Sequence, residues 1–150
     1  MNIVINRMLE SDLPRVMKIE RKSFADPWSL NSFRRELNDN PYALYLSAYL
    51  DEKLIAYIGG WLVTDELHIT NLAVDPAYRR QGVAGKLLAE LIDLAKKQGI
   101  VRATLEVRAS NTSAIKLYEK NGFVSVGCRP RYYRNNNEDA LIMWKELSNE

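Results

Sequence analysis

The sequence predicts an α/β fold, a mixed central sheet of about seven strands with helices on both faces. Three observations lead there. Segments with two-residue apolar alternation and segments with helical spacing interleave in the order β α α β β β α β α β β. The 150 residues are enough to bury a core, and they suit one compact domain spanning 1–150. No repeat, linker or low-complexity tract interrupts the series.

Each element carries its own signal. Ile3 and Ile5 alternate with polar neighbours, which gives a short first strand. Ser11 is the expected cap of a helix beginning at Asp12, with Pro14 in the first turn, where a missing N–H does no harm. Leu13, Val16, Met17 and Phe24 keep helical spacing, with Glu20 as the one polar break, and Asp26-Pro27 stops the helix. Ser29 caps a second helix with an apolar face of Leu30, Phe33 and Leu37, ended by Asn38-Asp39-Asn40-Pro41. Residues 42–50 and 53–63 are rich in β-branched and aromatic side chains and only Asp51-Glu52 separates them, so they read as a hairpin.

The strand over residues 66–74 has a phase slip. Leu67 and Ile69 alternate, but the next apolar pair, Leu72 and Val74, falls one residue out of step. A β-bulge near Thr70-Asn71 would restore the alternation; burial on both faces would make the phase meaningless. Residues 82–98 form the clearest helix, with Val83, Leu87, Leu91 and Leu94 as its stripe and Gly99 as its C-terminal cap. Val101, Ala103, Leu105 and Val107 alternate with Arg102, Thr104 and Glu106 as a strand. Asn111 caps a helix to about Lys120, which Asn121-Gly122 stops. Residues 123–133 and 139–144 are final strands around the polar turn Asn135-Asn136-Asn137.

Composition excludes several classes. The 47% hydrophobic and 27% charged content is ordinary for a globular chain. A formal charge of +2 is too small for bulk nucleic-acid affinity, so no direct nucleic-acid partner is expected. Arg79-Arg80 and Arg129-Pro130-Arg131 remain as local basic patches. The single cysteine, Cys128, excludes an internal disulfide and a thiolate cluster, and it reads as a buried or edge apolar residue. His68, the sole histidine, sits mid-strand and reads as bland, so no metal is expected. The longest nearly apolar segment, residues 54–63, is about half of a membrane span. With no basic leader or long apolar start visible, the expectation is a cytoplasmic protein without a membrane partner, monomeric or weakly dimeric.

The run from Leu72, Ala73 and Val74 through Arg79, Arg80, Gln81, Gly82, Val83, Ala84 and Gly85 is the most informative stretch. A strand ends, Pro76 turns the chain, and small residues open an amphipathic helix. Small side chains there let a ligand reach unpaired backbone N–H groups, and these with the helix dipole suit phosphate or pyrophosphate. Arg79 and Arg80 add positive charge beside them. A P-loop is excluded because Leu87 follows Gly85-Lys86, and no Gly-x-Gly-x-x-Gly follows a strand. A glycine-rich turn into an ordinary core helix is the plain alternative.

Arg79-Arg80-Gln81-Gly82-Val83-Ala84 resembles the Arg/Gln-x-x-Gly-x-Gly/Ala signature of the GNAT acetyltransferases. Pro27-Trp28-Ser29, Leu105-Glu106-Val107-Arg108-Ala109-Ser110-Asn111, Leu117-Tyr118-Glu119, Gly122-Phe123 and Tyr132-Tyr133 are similar to the RimI-type branch, in order along nearly the whole chain. The resemblance implies the GNAT fold, acetyl-CoA as co-substrate and the N-terminal alanine of a small-subunit ribosomal protein, the eighteenth, as acceptor. It implies that pantetheine pairs with the splayed edge of the bulged strand at Leu72, Ala73 and Val74. Arg80, Gln81, Gly82, Val83, Ala84 and Gly85 would then hold the pyrophosphate, and Asn111 would bond pantetheine besides capping its helix. Two positions depart from the pattern: Ala84 stands where many members have glycine, and Arg134 where many have proline.

By residue pattern alone, Glu106 reads as a solvated strand glutamate and Tyr118 as a core aromatic. The resemblance makes Glu106 the general base for the amine and Tyr118 the acid for the departing thiolate, with direct attack and the Val74 N–H polarising the carbonyl. It also makes Trp28, Tyr132 and Tyr133 the walls of the peptide groove. A broader specificity for N-termini, lysines or small amines stays open, as does a non-catalytic acyl-CoA sensor.

Overall fold

The computed structural model describes residues 2–147. Its elements are β1 (Ile3–Arg7), α1 (Leu13–Ser23), α2 (Leu30–Asn38), β2 (Ala43–Leu50), β3 (Lys53–Val63), β4 (Glu66–Val74), α3 (Val83–Lys97), β5 (Arg102–Arg108), α4 (Thr112–Lys120), β6 (Val124–Tyr133) and β7 (Glu138–Glu146). The strands form one seven-stranded sheet in the order β1-β2-β3-β4-β5-β7-β6. Every pairing is antiparallel except β4 with β5. This is the α/β arrangement that the interleaved periodicities predict.

Local chemistry explains most boundaries. Ser29 accepts from the Ser32 N–H at 3.1 Å and starts α2. Asp51 and Glu52 both hold positive φ, 52° and 67°, as a two-residue turn between twisted strands requires. Gly99 (φ 86°) ends α3: its N–H donates to Lys96 O at 3.0 Å and the Ile100 N–H to Ala95 O at 3.2 Å, closing the helix in a Schellman pattern. Ser11 is not the cap of α1. A 3₁₀ turn, Glu10–Asp12, comes first, and the Asp12 carboxylate takes the Leu9 N–H at 2.8 Å, so α1 begins one residue later than the apolar spacing implies.

Two apolar layers flank the sheet. Leu46, Ile58, Leu67, Leu87, Leu91, Leu105 and Phe123 pack between the sheet and α3. Val16, Ile19, Phe33, Tyr45 and Tyr57 pack beneath α1 and α2 on the other side.

The phase slip in β4 is a bulge. Asn71 pairs with Gly59 and Ile69 with Gly60, leaving Thr70 as the extra residue. Leu67, Ile69, Leu72 and Val74 consequently join one apolar cluster, the one under α3, while Ala73 joins the other. Gly59 opposite the bulge is obligatory in this packing, because a Cβ there would lie 2.0 Å from the Tyr45 ring. The Tyr45 hydroxyl in turn sits 3.1 Å from Thr70 Oγ1 and 3.3 Å from Asn71 Oδ1, so one side chain contacts both bulge residues.

The bulge also marks where the sheet opens. β4 pairs with β5 only over residues 66–69 against 102–105. Beyond Ile69 the two strands part, while β5 continues along β7 to Arg108 opposite Ala140.

Candidate active site

The parting of β4 from β5 produces a cleft of about 700 Å³ between the end of β4, the start of α3 and α4. A second cleft of about 400 Å³ lies on the far side of the same gap, between β5 and the α1–α2 loop. Leu72, Asn111, Ala114 and Tyr118 line both, so the two are ends of one passage through the sheet.

At the first end, Gly82 (φ 82°) occupies the left-handed region and precedes Val83, where α3 begins. The first four N–H groups of a helix have no intrahelical acceptor. The surface beside them is open, since a Cβ added at Gly82 or Gly85 would meet nothing within 4 Å. Gly82, Val83, Ala84, Gly85 and Arg80 all line the cleft, a donor set of main-chain amides and a guanidinium that fits a diphosphate. Arg79 lines it too, but its Nε donates to Val74 O at 3.0 Å and its Nη2 to Ser23 Oγ at 3.2 Å. It braces the loop against β4 and α1. Gln81 is not among the residues lining either cleft.

The β4 edge faces the same space. The Asp75 N–H donates to Ile55 O at 2.8 Å, so residues 75 and 55 form a hydrogen-bonded antiparallel pair. Alternation then turns the N–H and C=O of Val74 and Leu72 away from β3, toward the open side, where Arg79 takes the Val74 C=O. Asp75 itself anchors the turn: its carboxylate accepts from the Ala77 N–H at 3.0 Å and pairs with Arg15, whose Nε donates to Leu54 O at 3.0 Å. Burial raises the Asp75 pKa, but the Ala77 N–H and Arg15 outweigh it and hold the carboxyl below its ordinary value.

At the second end, Glu106 projects from β5 with only 12% of its side chain exposed. It is not a solvated strand residue. Its Oε1 lies 2.8 Å from His68 Nε2 and its Oε2 lies 3.7 Å from Arg129 Nε. The His68 hydrogen bond, working against burial and helped by the His68 and Arg129 charges, lowers the Glu106 pKa and keeps the carboxylate ionised. His68 is therefore not the bland mid-strand residue that its isolation in the sequence implies. Parallel pairing sets His68 opposite Thr104, which brings its ring to the carboxylate two residues further along β5. The visible signal was limited to both residues falling on the polar phase of their strands.

Tyr118 lies on α4 between the two ends, its ring buried and edge-on to Phe123 at 5.6 Å. Its hydroxyl makes no hydrogen bond among the described residues, and burial pushes its pKa up, so it stays protonated. The core-aromatic reading and the cleft-lining reading both hold. Asn111 caps α4, accepting from the Ala114 N–H at 3.2 Å, while also lining both clefts.

Trp28 and Tyr133 both line the second cleft. The Trp28 N–H donates to Glu20 Oε2 at 2.9 Å and its ring packs on Phe33 at 5.2 Å. The Arg108 guanidinium sits 4.1 Å from the centre of the Tyr133 ring. Tyr132 lines neither cleft; it is exposed and packs edge-on against Tyr133 at 5.1 Å. Glu20, the polar break in the α1 pattern, is a further residue of this wall: 1% exposed, it accepts from Trp28 and from the Tyr57 hydroxyl. A charged residue at a core-facing helical position was the available sign. Cys128 is exposed on the edge strand β6. Among the described residues no three His, Cys, Asp or Glu side chains gather closely enough to hold a metal ion, and no helix is long and apolar enough to cross a membrane.

A bulged strand parts from a parallel neighbour, with an open helix start at one end of the gap and a carboxylate at the other, an arrangement that suits an acyl-CoA-dependent transferase. The chain belongs to the acetyltransferase (GNAT) family, whose model matches residues 13–123. It is 44% identical over 144 residues to a putative [ribosomal protein bS18]-alanine N-acetyltransferase of Bacillus subtilis, covering 96% of this chain and 95% of that one. It is 40% identical over 148 residues to the [ribosomal protein bS18]-alanine N-acetyltransferase of Escherichia coli, covering 96% and 97%. The crystal structure of the ribosomal-protein-S18-alanine N-acetyltransferase from Escherichia coli superposes with a TM-score of 0.90 at 37% identity, covering 99% of this chain and 96% of that one. This chain is an N-acetyltransferase that uses acetyl-CoA.

Proposed function

We propose that this enzyme transfers an acetyl group to the α-amine of the N-terminal alanine of ribosomal protein bS18, by direct attack and without an acyl-enzyme. One observation carries the reading: Tyr118 lines both clefts, while Glu106 lines only the second, so a proton acceptor and a proton donor flank the point where the two ends meet.

Acetyl-CoA supplies an activated acyl group. The chain's own residues do the rest. The main-chain amides of Gly82, Val83, Ala84 and Gly85 hold the diphosphate, with Arg80 beside them and Arg79 bracing the loop. The outward amides of Leu72 and Val74 provide sheet-edge partners for pantetheine, and Ala73 between them keeps the edge in register. Asn111 contributes a second anchor. An N-terminal amine has a pKa of about 8, so its proton is shed readily near neutrality, and the ionised Glu106 carboxylate receives it through water. Tyr118, kept protonated by burial, returns a proton to the sulfur. Trp28 and Tyr133 shape the peptide groove, with Tyr132 supporting Tyr133 from outside. A ribosomal substrate implies action in the cytoplasm, and the site needs no second copy of the chain to be complete.

Incubation of bS18 with enzyme and acetyl-CoA, followed by mass spectrometry of its peptides, tests the assignment. One acetyl group on the first residue is the expected product. Acetylation of lysines instead, or equal turnover of small amines, would transfer the chain to the broader-specificity class; donor binding without any turnover would make it a sensor.

A further inference from the structure

His68 has no place in the mechanism above, yet it makes the closest polar contact to the Glu106 carboxylate in the second cleft. We propose that His68 is a positioning residue for Glu106: its Nε2–H donates to Oε1 and fixes the carboxylate in one orientation beside the groove. The inference rests on Glu106 being the base.

Three observations support it. The first is the contact itself, 2.8 Å between Nε2 and Oε1. An ionised carboxylate only accepts, so Nε2 must carry the hydrogen. The second is that the imidazole is itself held. Its ring stands edge-on to Trp61 at 5.7 Å and 86°, and the Trp61 indole N–H is taken by Glu36 of α2. Glu36 also accepts from the Tyr45 hydroxyl at 2.9 Å, and Tyr45 is the residue that contacts the bulge. A continuous set of packed and hydrogen-bonded groups thus runs from the bulge, which sets where the donor edge opens, to the carboxylate on the acceptor side. The third is the weakness of the alternative tether. Arg129 stands 3.7 Å from Oε2 and is more than half exposed, so it adds charge without fixing an orientation. His68 does not line either cleft, so it acts through Glu106 and not on substrate.

The test uses five variants of the full chain and separates this inference from the base assignment. His68→Ala should lower kcat about tenfold, the factor expected for one lost hydrogen bond to a charged group, with KM for acetyl-CoA unchanged. His68→Gln places an amide nitrogen where Nε2 lies and should recover most of kcat, whereas His68→Asn, with its nitrogen where Nδ1 lies, should not. A merely packing role would not separate Gln from Asn in that direction. His68→Ala added to Glu106→Gln should cost nothing further in kcat, because the residue acts only through the carboxylate. Wild-type kcat in His68→Ala, with Glu106→Gln impaired, would overturn the role of His68 alone. Equal losses in Ala, Asn and Gln, or a full additive loss in the double variant, would overturn it as well. An unimpaired Glu106→Gln would instead remove the base assignment on which it stands.

Discussion

Two side chains carry opposite protonation preferences across one passage. Glu106 is held ionised by His68 against the pull of burial, and Tyr118 is held neutral by burial. Glu106→Gln should therefore slow turnover by about a hundredfold, mostly in kcat, and flatten its rise with pH, which steady-state kinetics at saturating peptide would measure. Because the Tyr118 hydroxyl titrates above the ordinary tyrosine range, the wild-type profile should show no alkaline fall within that range; Tyr118→Phe should lower kcat at every pH. Neither role was legible from composition or spacing, in which Glu106 is one polar strand residue among several and Tyr118 one aromatic on an apolar helix face. Their roles came from resemblance. The His68 contact was beyond reach, since it depends on the β4–β5 register, which nothing local in either strand specifies.

Between neighbouring residues and the whole sheet, the elements that matter are the bulged strand and the start of α3. The bulge was legible because a period of two leaves a visible phase slip when one residue is inserted. Its cause was not, since Gly59 and Tyr45 come from other strands. The failure at Ser11 is of the opposite kind: a suitable capping residue was present, but the Asp12 carboxylate reached the Leu9 N–H and set a 3₁₀ turn instead. At α3 the two glycines should behave differently. Gly85→Ala relieves a helix-interior glycine and meets no neighbour, so it should stabilise the fold by up to about 1 kcal/mol while weakening acetyl-CoA binding, because the new methyl enters the phosphate space. Gly82→Ala must hold φ near 82° and should destabilise by about 1 kcal/mol. Thermal melts with and without ligand would separate stability from affinity.

Over the whole molecule, a layered α/β sheet was predictable from the order of periodicities, but the passage through it was not. That passage needs β4 and β5 to pair over four residues and then part, a consequence of the bulge, the Asp75–Arg15 anchor and the continued β5–β7 ladder acting together. Stability has been spent at one more place along it. Burial raises the Glu20 pKa despite hydrogen bonds from Trp28 and Tyr57. A carboxyl raised on folding favours the native state below its unfolded pKa and loses that contribution as pH rises through the folded value. Glu20→Gln, whose amide oxygen can accept from the Trp28 N–H while its amide nitrogen donates to the Tyr57 oxygen, should therefore melt higher than wild type at neutral pH, with the gap closing in acid. A gap that widens in acid would mean that Glu20 is stabilised in its charged form.

Isothermal titration of acetyl-CoA into the wild-type enzyme and into Gly85→Val reads most directly whether bare amides at the start of α3 receive the diphosphate. One molecule bound per chain by wild type, and a Kd weakened at least about tenfold in Gly85→Val with its melting temperature retained, is the expected pair of results. Equal affinity in the two proteins, or no heat with folded wild type, would contradict it.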